Sequence, residues 1–345
     1  MTGDAIVALV LNDWVMLQMP GVFEQGGVEL HRGKRPAWDL ASGELVPSRE
    51  LKNFDRQSLL LLAAMSLIED GNDGDSLAGS AIIGATSNGS IDTVIQLIKE
   101  SNESRFAFQV NPAQIPNTVI NSSLGQLAIK YGIKGPNVSL CAKELSFYHA
   151  LVQGLRIAMR GESDYIYTTA IETFSGEFGT LYAQSINLPA EKRLDTAAIF
   201  SFQAVADLKV QGLIVRSCMT GRLFSSDSAG LIDLILTFLA GQGVELDQVS
   251  RVNLAAADSW QMSLSSLNRA FGARFEMLDR AKALSLSLVG AYQLAEMANG
   301  VPAQNFGVMA CVDDEGFYGV ALIERNDVRE GFFTGSSDSE KAGNL

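Results

Sequence analysis

The sequence predicts an α/β protein whose strands lie in sheets covered by helices on both faces, arranged as two half-units of similar style. Three observations lead there. Short apolar runs alternate with segments of helical spacing along the whole chain. The strand-like runs are apolar throughout rather than alternating, the mark of a sheet buried on both faces and, by default, parallel. The same strand–helix–strand style returns in the second half without an exact sequence repeat.

Taken in order, AIVALVL near the N-terminus reads as a strand and residues 55–69 as a helix. SAIIGATS (80–87) reads as a strand and 91–100 as a helix with Ser and Asp at its start. A helix is expected over 117–132, ending near Gly132. A turn and buried strand follow at 135–142, a helix at 144–161 and a strand at 164–172. In the second half, strands are expected at 194–204, 213–221 and 251–258, and helices at 228–243, 259–272 and 280–300. A hairpin is expected over 307–324. The expected division is 1–190, 191–325 and a polar, flexible tail at 326–345.

Composition narrows the function classes. The 345 residues carry 26 Lys plus Arg against 39 Asp plus Glu, a net charge of −13, which gives no field for phosphate backbones or anionic membrane surfaces. The most apolar stretch, Ser58 to Ile68, falls short of the roughly 20 residues a membrane span needs. The N-terminus lacks a basic n-region and a small-residue cleavage site, so it reads as a strand rather than a signal peptide. Three cysteines, Cys141, Cys218 and Cys311, make an odd number without a C-x-x-C pair, so neither a disulfide framework nor a Cys-based zinc site is expected. All three read as core thiols, and a reducing cytoplasm is the expected setting. The two histidines are His31, in a loop, and His149, read as a hydrogen-bonded helix residue. No cofactor is expected, because GATSNGS lacks phosphate-loop spacing. The acidic triplet Asp313, Asp314 and Glu315 reads as a hairpin tip rather than a metal site.

From Pro116 to Glu172 the chain resembles the β-ketoacyl synthases, condensing enzymes of the thiolase fold. The matching residues are PNTVINSSLGQLAIKYGIKGPNVSL followed by SFYHALVQGLRIAMRGESDYIYTTAIE. Tyr131, Gly132, Gly135, Pro136, His149, Ala150, Gly161, Asp164 and Glu172 fall into the family pattern without a gap. Weaker matches at 55–72, 251–259 and 281–294 extend the likeness over most of the chain. The resemblance implies a thiolase-like fold of two pseudo-equivalent halves with mixed sheets sandwiched by helices.

The catalytic positions of that family are where this sequence departs. The nucleophilic Cys position falls on Glu144, the first histidine on Ala255 and the second on Ser287, while Lys282, Gly290 and Ala291 are kept. The family's Gly-rich terminal loop is replaced by VDDEGFYG, whose acids would oppose a developing oxyanion. A carboxylate is a poor replacement for a thiolate that must accept an acyl group. This pattern resembles the chain length factors, inactive ketosynthase-like partners in type II polyketide synthases, including aryl-polyene and other polyene systems.

The resemblance implies a non-catalytic subunit, no enzyme by itself, that forms a heterodimer with an active ketosynthase and meets the acyl carrier protein through that complex. It implies an interface near the strand Asn137, Ser139 and Cys141, and an acyl tunnel lined or capped by Ile115, Pro116, Val119 and Asn121. No aromatic lies between Val110 and Lys130, which points to a roomy tunnel and a long or rigid polyene product. The basic run Arg32, Lys34 and Arg35 is either a solvated loop or a contact to a partner or acidic carrier. Two alternatives stay open: a decarboxylase or hydrolase of malonyl-type thioesters working through Glu144, and a scaffold unrelated to polyketides.

Overall fold

The computed structural model describes residues 7–20, 29–32, 54–68, 74–106, 108–185, 194–223, 227–256, 263–278 and 286–326. The first half runs β1 (Ala8–Pro20), β2 (Glu29–Arg32), α1 (Arg56–Met65), α2 (Gly74–Ala78), β3 (Ala81–Ala85), α3 (Ile91–Glu103), α4 (Ser122–Tyr131), β4 (Asn137–Leu140), α5 (Ser146–Met159), β5 (Tyr165–Glu172), α6 (Glu177–Ser185) and β6 (Leu194–Val205). The second half runs β7 (Gly212–Arg222), α7 (Ser228–Gly241), β8 (Val249–Ala256), α8 (Leu264–Phe271), β9 (Phe275–Met277), α9 (Val289–Gly300), β10 (Asn305–Val312) and β11 (Phe317–Asn326).

The strand order β4-β3-β5-β6-β1-β7-β11-β10-β8-β9 is the same half-sheet written twice, outward from a β1–β7 junction. In the first half, β1–β6 and β6–β5 are antiparallel while β5–β3 and β3–β4 are parallel. In the second, β7–β11 and β11–β10 are antiparallel while β10–β8 and β8–β9 are parallel. The halves join where Leu9–Leu11 of β1 pair antiparallel with Leu213–Val215 of β7. The all-parallel default is therefore corrected to mixed sheets. The β10–β11 turn is short, and a short turn returns the chain only in the antiparallel sense, whereas the parallel neighbours are separated by helical crossovers. The expected division at 190/191 precedes β6, yet β6 lies between β5 and β1, so the chain leaves the first half-sheet only after Val205.

Side-chain alternation along the strands feeds three apolar layers. Val15 and Leu17 of β1 and Ile82 of β3 face α1 and α4. Their neighbours Trp14, Met16 and Ile83 face a middle layer made by α5 and α9. On the far side, Val252, Leu254, Val308 and Val320 pack on α7 and α8. The middle layer explains why α5 and α9 are apolar nearly all round: each lies between two sheets. A polar stitch crosses it. Tyr148 Oη donates to Gln293 Oε1 at 2.5 Å, and Gln293 Nε2 donates to Asn253 O, Asn253 Oδ1 and Ala310 O at 3.1, 3.1 and 2.8 Å. Gly319 lies against the Tyr148 ring, so closely that a Cβ there would run into it.

The helix expected over 117–132 is divided. Residues Pro112–Thr118 form a 3-10 helix with Pro116 inside it, and α4 starts afresh at Ser122. The break falls at Val119, whose extended backbone (φ −93°, ψ 143°) interrupts the helical path. Gly132 then ends α4 in the left-handed region (φ 70°), where a side chain would be strained. Among the described residues no helix is long and apolar enough to cross a membrane.

Candidate functional site

Both middle-layer helices begin in the same way. A 3-10 turn, Lys143–Leu145, leads into α5, and another, Leu286–Leu288, leads into α9. Glu144 and Ser287 are the central residues of these turns, so the two halves place them at equivalent positions. The turns pack against each other, and the ends of β10 and β11 pack against the first. Ala255, buried near the end of β8, pairs with Cys311 of β10. The fold thus gathers into one region the elements carrying the three positions that the sequence aligns with a nucleophile and two histidines.

The first turn is held by its own polar atoms. Ser146 Oγ accepts from Ala142 N at 2.8 Å and donates to Lys143 O at 2.7 Å, and Leu145 N donates to Ala142 O at 2.9 Å. Lys143 adopts φ 47°, a left-handed backbone that side chains rarely take. The second turn serves a buried carboxyl. Glu172, 2% exposed at the end of β5, has its pKa raised by burial, opposed by hydrogen bonds from Ser287, Ser87 and Asn88. Ser287, fully buried, thus supports an acid where the resemblance has a histidine. Glu172 was visible in the sequence only as a match to the family pattern. Its burial needed the fold, because nothing local marks a strand-ending Glu as enclosed.

A cleft of about 700 Å³ opens beside the first turn. Lys143 and Leu145 form part of its wall, with His149, Arg222, Glu315 and Phe317. Glu144, between those two, is not among the wall residues. The acidic triplet is engaged by the protein itself. Asp313 Oδ1 accepts from Glu315 N at 2.9 Å and Phe317 N at 2.8 Å, which shapes the hairpin tip. Glu315 Oε1 and Asp314 Oδ1 lie 3.1 and 3.6 Å from Lys143 Nζ. Among the described residues no group of three potential metal ligands occurs.

One sequence reading needs correction. Cys141 is not a core thiol. Strand β4 ends at Leu140, and the exposed Cys141 follows it, its Sγ 2.9 Å from Ser87 O. Its pKa is raised, by partial burial and by the Glu172 carboxylate, so it is no activated nucleophile. Cys218 packs against the middle-layer core, with its Sγ 3.6 Å from Tyr148 O, and Cys311 is core as well, both as expected. His149 lies on α5, as expected, and lines the cleft, and burial followed by the nearby Arg156 lowers its pKa. Lys282 and the side chains of His31, Arg32, Lys34 and Arg35 lie outside the described residues.

Most of the residues read as tunnel or interface are exposed. Ile115 and Val119 are each 52% exposed, and Pro116, Asn121 and Asn137 are exposed as well. Ser139 is partly buried on β4, which is the edge strand of the sheet. Helix α3 beside them has no buried residue, although Val94, Ile95, Leu97 and Ile98 are apolar. Phe106 and the 79%-exposed Phe108 stack at the end of that helix, 5.5 Å between ring centroids. An ordinary core role for Ile115 and Val119 is excluded by this exposure.

No protein-family model matches the chain. Solved structures do. The ishigamide ketosynthase/chain length factor superposes with TM-score 0.67 at 18% identity, over 93% of this chain and 100% of the other. A type II polyketide synthase acyl-carrier protein in complex with its ketosynthase bound to the hexaketide gives 0.65 at 10%, over 93% and 99%. A β-ketoacyl synthase from Burkholderia phymatum gives 0.62 at 13%, over 93% and 100%. The protein therefore has the thiolase-like ketosynthase fold.

Proposed function

We propose that this chain is a non-catalytic, chain-length-factor-type subunit that pairs with an active ketosynthase and shapes its acyl tunnel in type II polyketide synthesis of the polyene kind. The observation that carries the reading is the lead-in turn of α5. Glu144 lies in that 3-10 turn, and the sequence resemblance aligns it with the thiolate that acyl transfer needs and aligns Ala255 and Ser287 with the two histidines. The outer face of α3, residues 112–118 and the β4 edge supports pairing, since soluble monomers rarely leave so much apolar surface uncovered. One solved structure of the same fold is itself a ketosynthase/chain length factor.

A decarboxylase or hydrolase using Glu144 fits less well, because the walls of the cleft are formed by its neighbours and not by Glu144 itself. The test is acyl loading and assembly. The isolated chain should show no mass increase with acyl-carrier substrates, and Glu144→Cys alone should not condense, because the two histidines remain absent. Coexpression with an active ketosynthase of a type II polyketide synthase should give a 1:1 complex. Acyl transfer to a Cys of the isolated chain, or a stable monomer indifferent to that ketosynthase, would refute the reading.

A further inference from the structure

The cleft beside the first turn lies where the two halves meet. One wall comes from the lead-in turn of α5, in the first half, and the other from the end of β7 and the β10–β11 hairpin, in the second. Both loops are stiffened internally. Ser146 holds the turn and keeps Lys143 in its left-handed conformation, while Asp313 holds the backbone N–H groups of Glu315 and Phe317. Lys143 Nζ reaches across to Glu315, at 3.1 Å, with Asp314 behind it at 3.6 Å. That hydrogen bond to Glu315 is the largest cause of the raised Lys143 pKa, so the cationic form is favoured. All three side chains are about half exposed. Such a pair is weak and screened by salt. It therefore suits a closure that opens and shuts better than a permanent staple.

We propose that Lys143 and Glu315 form an electrostatic latch that closes this cleft, admitting a neutral apolar ligand when it opens. The ligand class follows from what lies within. Ala142, Leu145 and Phe317 supply apolar surface, and His149 is biased toward its neutral form. The Arg222 guanidinium lies over the Phe317 ring, 5.1 Å from its centroid, and Lys143 faces Asp314 and Glu315, so charges of both signs are mixed around the cleft and neither forms a one-sign patch that would select an ion. The latch does not rest on the subunit reading, and its test uses the full chain, by itself or in its complex.

The test combines hydrogen exchange with binding of Nile red, a neutral apolar dye. Lys143→Met and Glu315→Gln should each speed amide exchange in both 142–146 and 313–318, by roughly two- to five-fold, the span of exposed ion pairs. Dye binding should rise in step. About 1 M NaCl, where the screening length is about 3 Å, should produce the same change in the wild type and little further change in either variant. Exchanging the charges, Lys143→Glu with Glu315→Lys, should return exchange toward the wild-type rate. Unchanged exchange in both single variants, or a rise confined to the loop carrying the substitution, would overturn the latch. Faster exchange in both loops with unaltered dye binding would overturn its control of the cleft.

Discussion

The two halves of the molecule share one plan and put it to different uses. Each contributes five strands of identical order and sense, to which the first half adds β2 beside β1, and each has a 3-10 turn leading into its middle-layer helix. In the second half that turn is enclosed, with Ser287 and Leu288 buried. In the first, Lys143 lines a cleft. The outer connections differ as well. From β8 to β9 the chain needs little more than α8, whereas from β3 to β4 it adds α3 and the 3-10 helix Pro112–Thr118 before α4. That addition buries almost nothing in its own chain and displays Ile98, Phe108, Ile115 and Val119. The lesson is that the hydrogen-bonded scaffold duplicates readily, while function is written into the loops and the insertion of one copy.

The largest effect is expected where the halves are locked together. Tyr148→Ala removes a fully buried ring from the middle layer and strands Gln293 Oε1, so it should cost about 3–5 kcal/mol in urea unfolding. Tyr148→Phe isolates the hydrogen bond and should cost about 1–3 kcal/mol. A cost under about 1 kcal/mol for the alanine variant would mean that the halves do not depend on this contact.

A smaller effect separates the two lead-in turns by pH. Glu172, beside the second turn, has a folded pKa raised above its ordinary 4.5 by burial. Its contribution is fully present below the unfolded pKa and is lost as pH rises through the raised folded value, because only the unfolded chain ionises freely over that interval. Urea midpoints measured as a pH series should therefore fall less steeply above about pH 4.5 in Glu172→Gln than in the wild type. Superimposable slopes would show that burial does not hold the proton.

The smallest stability effect belongs to the inserted surface. Val119→Trp and Ile115→Phe, on half-exposed positions, should leave the unfolding free energy of the chain within about 0.5 kcal/mol. Under the proposed function they should shift the product distribution of the assembled complex toward shorter chains, read by mass spectrometry at normal complex yield. An unchanged distribution at that yield would remove both residues from the tunnel.

Much of this was legible in the sequence. Apolar runs such as SAIIGATS and DYIYTTAIE became β3 and β5, because a strand covered on both faces has to be apolar on both. The start of α5 was located through the resemblance to the β-ketoacyl synthases, by counting along that family's pattern from Gly135-Pro136 on one side and His149-Ala150 on the other. Helix α6 was missed because its polar and small residues carry little periodicity. Cys141 was misplaced because local hydrophobicity does not reveal where an edge strand stops. Lys143 was passed over because its partner is 172 positions away in the chain.

The sequence by itself therefore determined the alternation of strands and helices and its return in the second half, since these rest on periodicity and turn chemistry, while the resemblance to the β-ketoacyl synthases is what singled out Glu144 and Ser287. Only the tertiary structure decided that Glu172 is enclosed, that Ile115 and Val119 are outside, and that Lys143 reaches Glu315 across a cleft. Those facts depend on which surfaces the packed layers cover and which they leave to solvent. That outcome is set by contacts between segments far apart in the chain, and no local pattern encodes it.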